Sequence, residues 1–269
     1  MENKIQFEKQ YLIDTHTYEL NTEVFKIQDD EKDEKLAKVL LKNTIFHPQG
    51  GGQPSDEGVI IKNYNKSDQI EIKVNSLVYD RGLETVIHKV LKEEIQKANL
   101  NENEQVFLKI DQEKRKLHAK IHSGGHLLDV AVGKLGFKWQ PGKGYHFPKG
   151  PFVEYIGELD NSKENLEKVI RELNNQVEQI FKEINQENKS EVKVFKYDEA
   201  TKIMKVPDYI PEGVDFRYVK LFKEDEGCPC GGTHVKHINE INNLEVTKIK
   251  VNKNKKTITV SYKVDQDKK

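Results

Sequence analysis

Cysteine is nearly absent from this chain, which has two residues of the type, Cys228 and Cys230, only two positions apart. A disulfide framework is thereby excluded, and a bridge between such close neighbours would be strained, so reduced thiols in a reducing compartment are expected. Long apolar runs are missing as well. No stretch approaches the roughly 18 residues that a membrane helix takes, and the first twenty residues have neither a signal-peptide core nor an Arg-rich transit composition. A cytoplasmic protein without membrane contact is the expectation. Charge of one sign is lacking too: the formal net charge is −1, so any polyanion must be met by a local basic patch and not by a global field. With 269 residues, 35% hydrophobic and 33% charged, the chain stands above the disordered range and is long enough for two modest domains.

The first hundred residues carry strand and turn signals. "QIEIKVNSL" alternates apolar and polar at Ile70, Ile72 and Val74, while "KVLLKNTIF" and "DEGVII" are short apolar runs bounded by turn formers. A small twisted sheet or barrel follows from this. The charge run "IQDDEKDEKLAK" reads as a solvated loop tip, and "TVIHKVLKEEIQKANLNENE" as a short helix with a polar connection. These place a boundary near residue 100, with domains at 1–100 and 101–269. Beyond it "QVFLKID" suits a strand, and Asp111 suits the cap of an amphipathic helix marked by Leu117, Ile121, Leu128, Val132 and Leu135. A longer helix is marked by a stripe from Leu166 to Ile184, with Asn161 and Glu164 as a capping box. The tail from Asn243 to Val264 reads as a hairpin turning near Asn252 to Lys256.

Against this background the placement of the nine histidines is uneven. In "KIHSGGHLLDV", His122 and His126 stand four apart and so share a helix face, with His118 one turn earlier. Gly124 and Gly125 lie between them, and each glycine inside a helix costs roughly 1 kcal/mol relative to alanine. Either a ligand, a strand or a substrate approaches the backbone closely there, or the helix breaks. In "EGCPCGGTHVKH" Cys230 and His234 repeat the spacing across a Gly pair that favours a tight turn. One thiolate and three imidazoles suit Zn²⁺, one ion per chain. Cys228 competes with Cys230 for the thiolate role, and the place of Cys230 ahead of the turn favours it.

The separation of the two pairs, about a hundred residues, is too long for a zinc finger. A HExxH peptidase is disfavoured because Ser123 stands where its general base would be. A third unusual stretch, "FHPQGGGQPSDEG", holds three consecutive glycines, permits close backbone approach, and lacks the GK[ST] ending of a P-loop. Taken alone it is a hairpin turn.

Together, "FHPQGGGQPSDEG", "HSGGHLLD" and "CPCGGTHVKH", in this order, resemble the alanyl-tRNA editing family, AlaX, and the editing region of alanyl-tRNA synthetase. "VIHKV", "LKIDQEKR" and "PFVEYIGEL" extend the resemblance over nearly the whole chain. It implies an α+β protein: an N-terminal glycine-motif β-barrel domain followed by an α/β editing domain like those of threonyl- and alanyl-tRNA synthetases. It also implies zinc held by His122, His126, Cys230 and His234, and a trans-acting aminoacyl-tRNA deacylase for tRNA(Ala) mischarged with serine or glycine. No aminoacylation domain is expected within these 269 residues.

By the same resemblance Gln53 is a catalytic candidate, with Gly51 and Gly52 of its segment at the substrate, and Thr233 beside His234 is the second catalytic candidate. In many synthetase editing domains the residue before the second histidine is a threonine that discriminates the amino acid, whereas here it is Gly125. Either Ser123 or Thr233 supplies the hydroxyl, or the pocket discriminates differently. For the acceptor end, the basic and aromatic segment "KWQPGKGYHFPKG" offers Lys138, Trp139, Lys143 and Tyr145 as a flexible RNA-binding stretch, and "EKRKLHAK" adds Lys114, Arg115 and Lys116.

Overall fold

The computed structural model describes residues 7–183, 189–202, 206, 210–223 and 225–265. The chain divides into two compact units, Met1–Lys116 and Leu117–Lys269.

The first unit is built on one seven-stranded sheet. Its strands are β1 (Glu19–Asp29), β2 (Leu36–Leu41), β3 (Gly58–Lys62), β4 (Ile70–Lys73), β5 (Ser76–Asp80), β6 (Thr85–Leu91) and β7 (Gln105–Ile110), and one short helix, α1 (Lys92–Ala98), follows β6. The sheet order is β4-β3-β7-β1-β2-β6-β5. The terminal strands β4 and β5 are not paired with each other among the described residues, so the expected barrel is, in its hydrogen bonding, an open sheet. The core packs Val24, Val39, Leu41, Ile60, Ile72, Val86 and Leu108. The segment "TVIHKVL", expected to be helical, is strand β6, because nearly all of it is buried and a strand covered on both faces reads as a continuous apolar run. The boundary moves from about residue 100 to 116/117 for a similar reason: β7 pairs with β1 on one side and β3 on the other.

His88 on β6 is fully buried among these strands. Its Nδ1 lies 3.1 Å from the Val39 carbonyl, which can only accept, so Nδ1 carries the proton and Nε2 accepts from the Thr44 hydroxyl at 2.8 Å. Burial lowers its pKa from 6.5 to about 4. A depressed folded-state pKa means that this stability is present above pH 6.5 and is lost as pH falls toward 4, by about 3 kcal/mol. Urea midpoints between pH 7 and pH 4 should show that loss, and a His88→Asn variant, which cannot titrate, should show a flatter profile.

The second unit starts within α2 (Gln112–Lys134), which is capped as expected by Asp111, whose carboxylate accepts the Lys114 N–H at 3.0 Å. Strands β8 (Gln140–Tyr145) and β9 (Phe152–Ile156) join the C-terminal hairpin β12 (Leu244–Asn252) and β13 (Thr257–Val264) in the order β8-β9-β13-β12. Helix α3 (Lys163–Glu183) buries Val169, Leu173, Val177 and Ile180, packs on β12, and begins after Ser162, so Asn161 lies outside the cap position. Ile184 of its expected stripe is outside the described residues. A second antiparallel sheet pairs β10 (Glu191–Phe195) with β11 (Phe216–Lys220), and Cys228–Pro229 add to β11. No helix among the described residues is long and apolar enough to cross a membrane.

Candidate metal centre

Helix α2 runs unbroken through Gly124 and Gly125, and the structure shows why both are glycine. A Cβ at Gly124 would lie 2.9 Å from Val264 and 3.2 Å from Leu244 and Tyr262, so here a strand approaches the helix closely. A Cβ at Gly125 would lie 2.4 Å from the ring of His146. Close packing, with no break in the helix, accounts for the pair.

His122 and His126 therefore project from one face of a regular helix toward the segment that follows β11. That segment is fixed by three devices. Cys228–Pro229 pair with Val219 and Tyr218, and the Cys230 N–H donates to the Arg217 carbonyl at 3.0 Å. The Arg217 guanidinium donates to the carbonyls of Cys230 at 2.6 Å and Gly232 at 3.0 Å, clamping the turn between the ligands. Finally, the Val235 N–H donates to the Ser123 hydroxyl at 3.1 Å, tying the residue after one histidine to the residue after another.

As a result His122, His126, Cys230 and His234 each present one ligand atom, all within 4.8 Å of one another. His126 Nε2 is 3.2 Å from His234 Nε2, and Cys230 Sγ is 3.4 Å from His122 Nε2. A tetrahedron with zinc-like bonds of about 2.0–2.3 Å has edges of about 3.3–3.8 Å, which these two pairs approach, and three imidazoles with one thiol are a donor set compatible with that ion. Cys228 stands outside the four; its Sγ is 3.3 Å from His126 Nδ1, where the ring N–H donates to sulfur and turns Nε2 toward the cluster. Burial lowers the pKa of His126 to about 3 and that of His234 well below its usual value, leaving both imidazoles neutral. Burial pushes the Cys230 thiol up. His146 lies alongside, its ring stacked on that of His122 at 4.6 Å and its pKa lowered by burial to about 4.

No protein-family model matches the chain. The alanyl-tRNA editing protein AlaX-M of Pyrococcus horikoshii is 32% identical over 244 residues, which cover 89% of this chain and 90% of that protein. The chain belongs to the AlaX family of alanyl-tRNA editing proteins. AlaX-L of the same organism is also 32% identical, and the chain spans about half of it, 54%. The alanine–tRNA ligase of Petrotoga mobilis is 27% identical over 224 residues, 80% of this chain and 22% of the ligase.

In this AlaX-family chain several expected site residues are placed otherwise than the sequence suggested. Arg115 is corrected outright as an RNA contact. It is 0% exposed, and its guanidinium is consumed by Asp56 and by the carbonyls of Thr15 and Ile45. Its neighbours remain at the surface, Lys114 paired with Glu57 and Lys116 with Glu113. Trp139 is likewise corrected: it is buried, stacked on Phe137 at 4.2 Å, and its indole N–H donates to the Glu158 carbonyl at 3.3 Å, so no ring face is left for a base. The segment around it is largely strand β8, paired with β9 through a bulge between Pro141 and Gly144, and not a flexible stretch. Lys138 and Lys143 are exposed on it, and half-buried Tyr145 stacks with Phe147 at 4.5 Å and with Phe152 at 5.4 Å.

Ser123 is fully buried with its hydroxyl engaged by Val235, and Thr233 is fully buried beside the ligand His234. In the first unit Gly51 and Gly52 adopt φ of 56° and 78°, which glycine tolerates, and Gln53 is fully buried with its amide nitrogen 3.4 Å from His47 Nδ1. Arg217 and His146 carried no signal in the sequence; neither stands at a motif spacing.

Proposed function

We propose that the chain is a trans-editing hydrolase that deacylates mischarged tRNA(Ala), Ser-tRNA(Ala) first and Gly-tRNA(Ala) second, in the cytoplasm. The observation that carries this reading is the convergence of His122, His126, Cys230 and His234 in a chain whose relatives are named alanyl-tRNA editing proteins. Hydrolysis of an aminoacyl ester asks mainly that the ester and a water be positioned and that developing oxyanion charge be stabilised. Zinc on these four residues would supply a positive charge at which an ester or water is anchored and polarised.

The protein's own part is to hold that centre rigid. Ser123 and Arg217 lock the two ligand segments, Cys228 fixes the ring of His126, and Tyr262 backs helix α2 at Gly124. Gln53 and Thr233, both fully buried, are assigned catalytic roles, and Gly51 and Gly52 substrate binding. Lys138 and Lys143 are the phosphate contacts, and Tyr145 with its stacked partners the platform for a base of the single-stranded acceptor end.

A second reading rests on the same ligand set. Four protein ligands fill a tetrahedron, the arrangement of structural zinc, which would make the chain a zinc-stabilised tRNA-binding module without turnover. Release of labelled serine from Ser-tRNA(Ala), beside Ala-tRNA(Ala), with zinc-loaded wild type and Cys230→Ala, separates the two. Rapid release of serine that requires Cys230 is expected. tRNA that binds but stays charged would establish the binding module instead.

A further inference from the structure

Serine and alanine differ by one hydroxyl, and a site tells them apart only by offering that hydroxyl a buried partner. Of the two hydroxyls sought from the sequence, Ser123 already accepts the Val235 N–H and Thr233 is fully buried, while position 125 has no side chain. What occupies the volume of a side chain at 125 is His146. A Cβ at Gly125 would fall 2.4 Å from His146 Cε1 and 2.9 Å from Nδ1, so the imidazole fits there only because residue 125 is glycine.

Gly144 completes the cradle. A Cβ at that position would fall 2.4 Å from His146 Nε2 and cap it. Neither glycine has a positive φ, so backbone conformation does not explain their presence; room for the ring does.

The ring's protonation pattern follows from its neighbours. The Tyr262 hydroxyl donates its one proton to the Ile121 carbonyl at 2.8 Å. It therefore receives the 2.7 Å hydrogen bond from His146, whose proton must be on Nδ1. That leaves Nε2 with a lone pair and no hydrogen-bond partner among the described residues, on a ring stacked against the metal-ligand candidate His122. A buried acceptor fixed in orientation and stacked on a candidate ligand of the proposed reaction centre matches a small hydroxyl donor.

We propose that His146 is the specificity-determining residue, its Nε2 accepting the hydrogen bond of the seryl hydroxyl, with Tyr262 as the residue that positions its tautomer. This rests on the deacylase reading above. The first arm measures kcat/KM for serine and alanine release from zinc-loaded wild type, His146→Phe and His146→Gln. Phenylalanine keeps the stacked ring and removes both nitrogens, so the serine-to-alanine ratio should fall about 10- to 100-fold, the worth of one buried hydrogen bond. Glutamine, whose amide oxygen can reach the place of Nε2, should restore part of it.

The second arm uses wild type alone. In histidine ¹H–¹⁵N spectra of zinc-loaded protein, the Nε2 resonance of His146 should shift on adding an amide-linked seryl analogue of the aminoacyl-adenosine terminus, and not with the alanyl analogue. A ratio unchanged in His146→Phe, equal losses for both amino acids, or equal shifts with both analogues would overturn the role of His146 while leaving the deacylase reading intact. Wild type that releases neither amino acid would remove both.

Discussion

Replacing Asp56 with alanine should destabilise the first unit by about 3–5 kcal/mol, a large share of what a domain of this size has in hand. Asp56 and Arg115 are both essentially buried. Arg115 Nε donates to one carboxylate oxygen at 2.9 Å and a terminal nitrogen donates to the other. The remaining donors go to the Thr15 carbonyl at 2.8 Å and the Ile45 carbonyl, while the His47 N–H donates to Asp56 at 2.6 Å. One ion pair thus ties the first turn of helix α2 to the glycine segment, between its His47 and its Asp56. Alanine would leave a guanidinium buried without its counter-charge and the His47 N–H without its acceptor, which is the costly way to break such a pair. Urea unfolding followed by a probe in the first unit checks this. The charge-free double variant Asp56→Leu, Arg115→Met should recover most of the loss, because neither charge then needs a partner. A single-variant loss below about 1 kcal/mol would mean that the pair is not what holds the segment.

Arg115 also shows where sequence reasoning was close and where it slipped. Grouping it with Lys114 and Lys116 treated a basic run as one surface, but consecutive helical residues are about a hundred degrees apart, and Arg115 shares its face with His122 and His126, seven and eleven positions on. The same periodicity that exposed the histidine pair therefore contained the information that Arg115 points inward. The convergence of His122, His126, Cys230 and His234 was legible because chemically rare residues recur at one spacing, and the C-terminal hairpin because strict alternation has one interpretation. Strand β6 was not, since Val86, Ile87, Val90 and Leu91 fit a helix stripe as well as a two-sided strand, and only the partners β2 and β5 decide between them. Strand β8 was hidden by Pro141, Gly142 and Gly144, residues that usually mark loops and here serve a bulge and a closely packed ring. His146 was out of reach, because its partner Tyr262 is 116 positions away and its role depends on two absent side chains.

Changing Cys230 to serine should weaken zinc binding at least about 100-fold, whereas Cys228→Ser should be markedly milder. The difference follows from position and not from residue type. Cys230 is one of four converging donors, and if a four-ligand site is worth roughly 10–16 kcal/mol, one ligand accounts for about 3 kcal/mol. Cys228 only receives the Nδ1–H of His126, which a serine hydroxyl can also accept, so the loss should stay at or below about 10-fold, the low end for a weakened partner of that kind. The two variants also separate in stability. Zinc bound only by the folded state raises the unfolding midpoint according to the ratio of free metal to Kd, so Cys230→Ser should forfeit about 3 kcal/mol of zinc-dependent stabilisation at fixed free zinc. Competition with a chromophoric chelator reads the affinities, and thermal unfolding with and without zinc reads the linkage. If the two serine variants lost affinity equally, both sulfurs would have to be ligands, and one histidine would leave the set; if the order were reversed, the turn after Pro229 would not present Cys230 to the ion. Either result would also displace His126, whose orientation by Cys228 is what brings its Nε2 within 3.2 Å of His234.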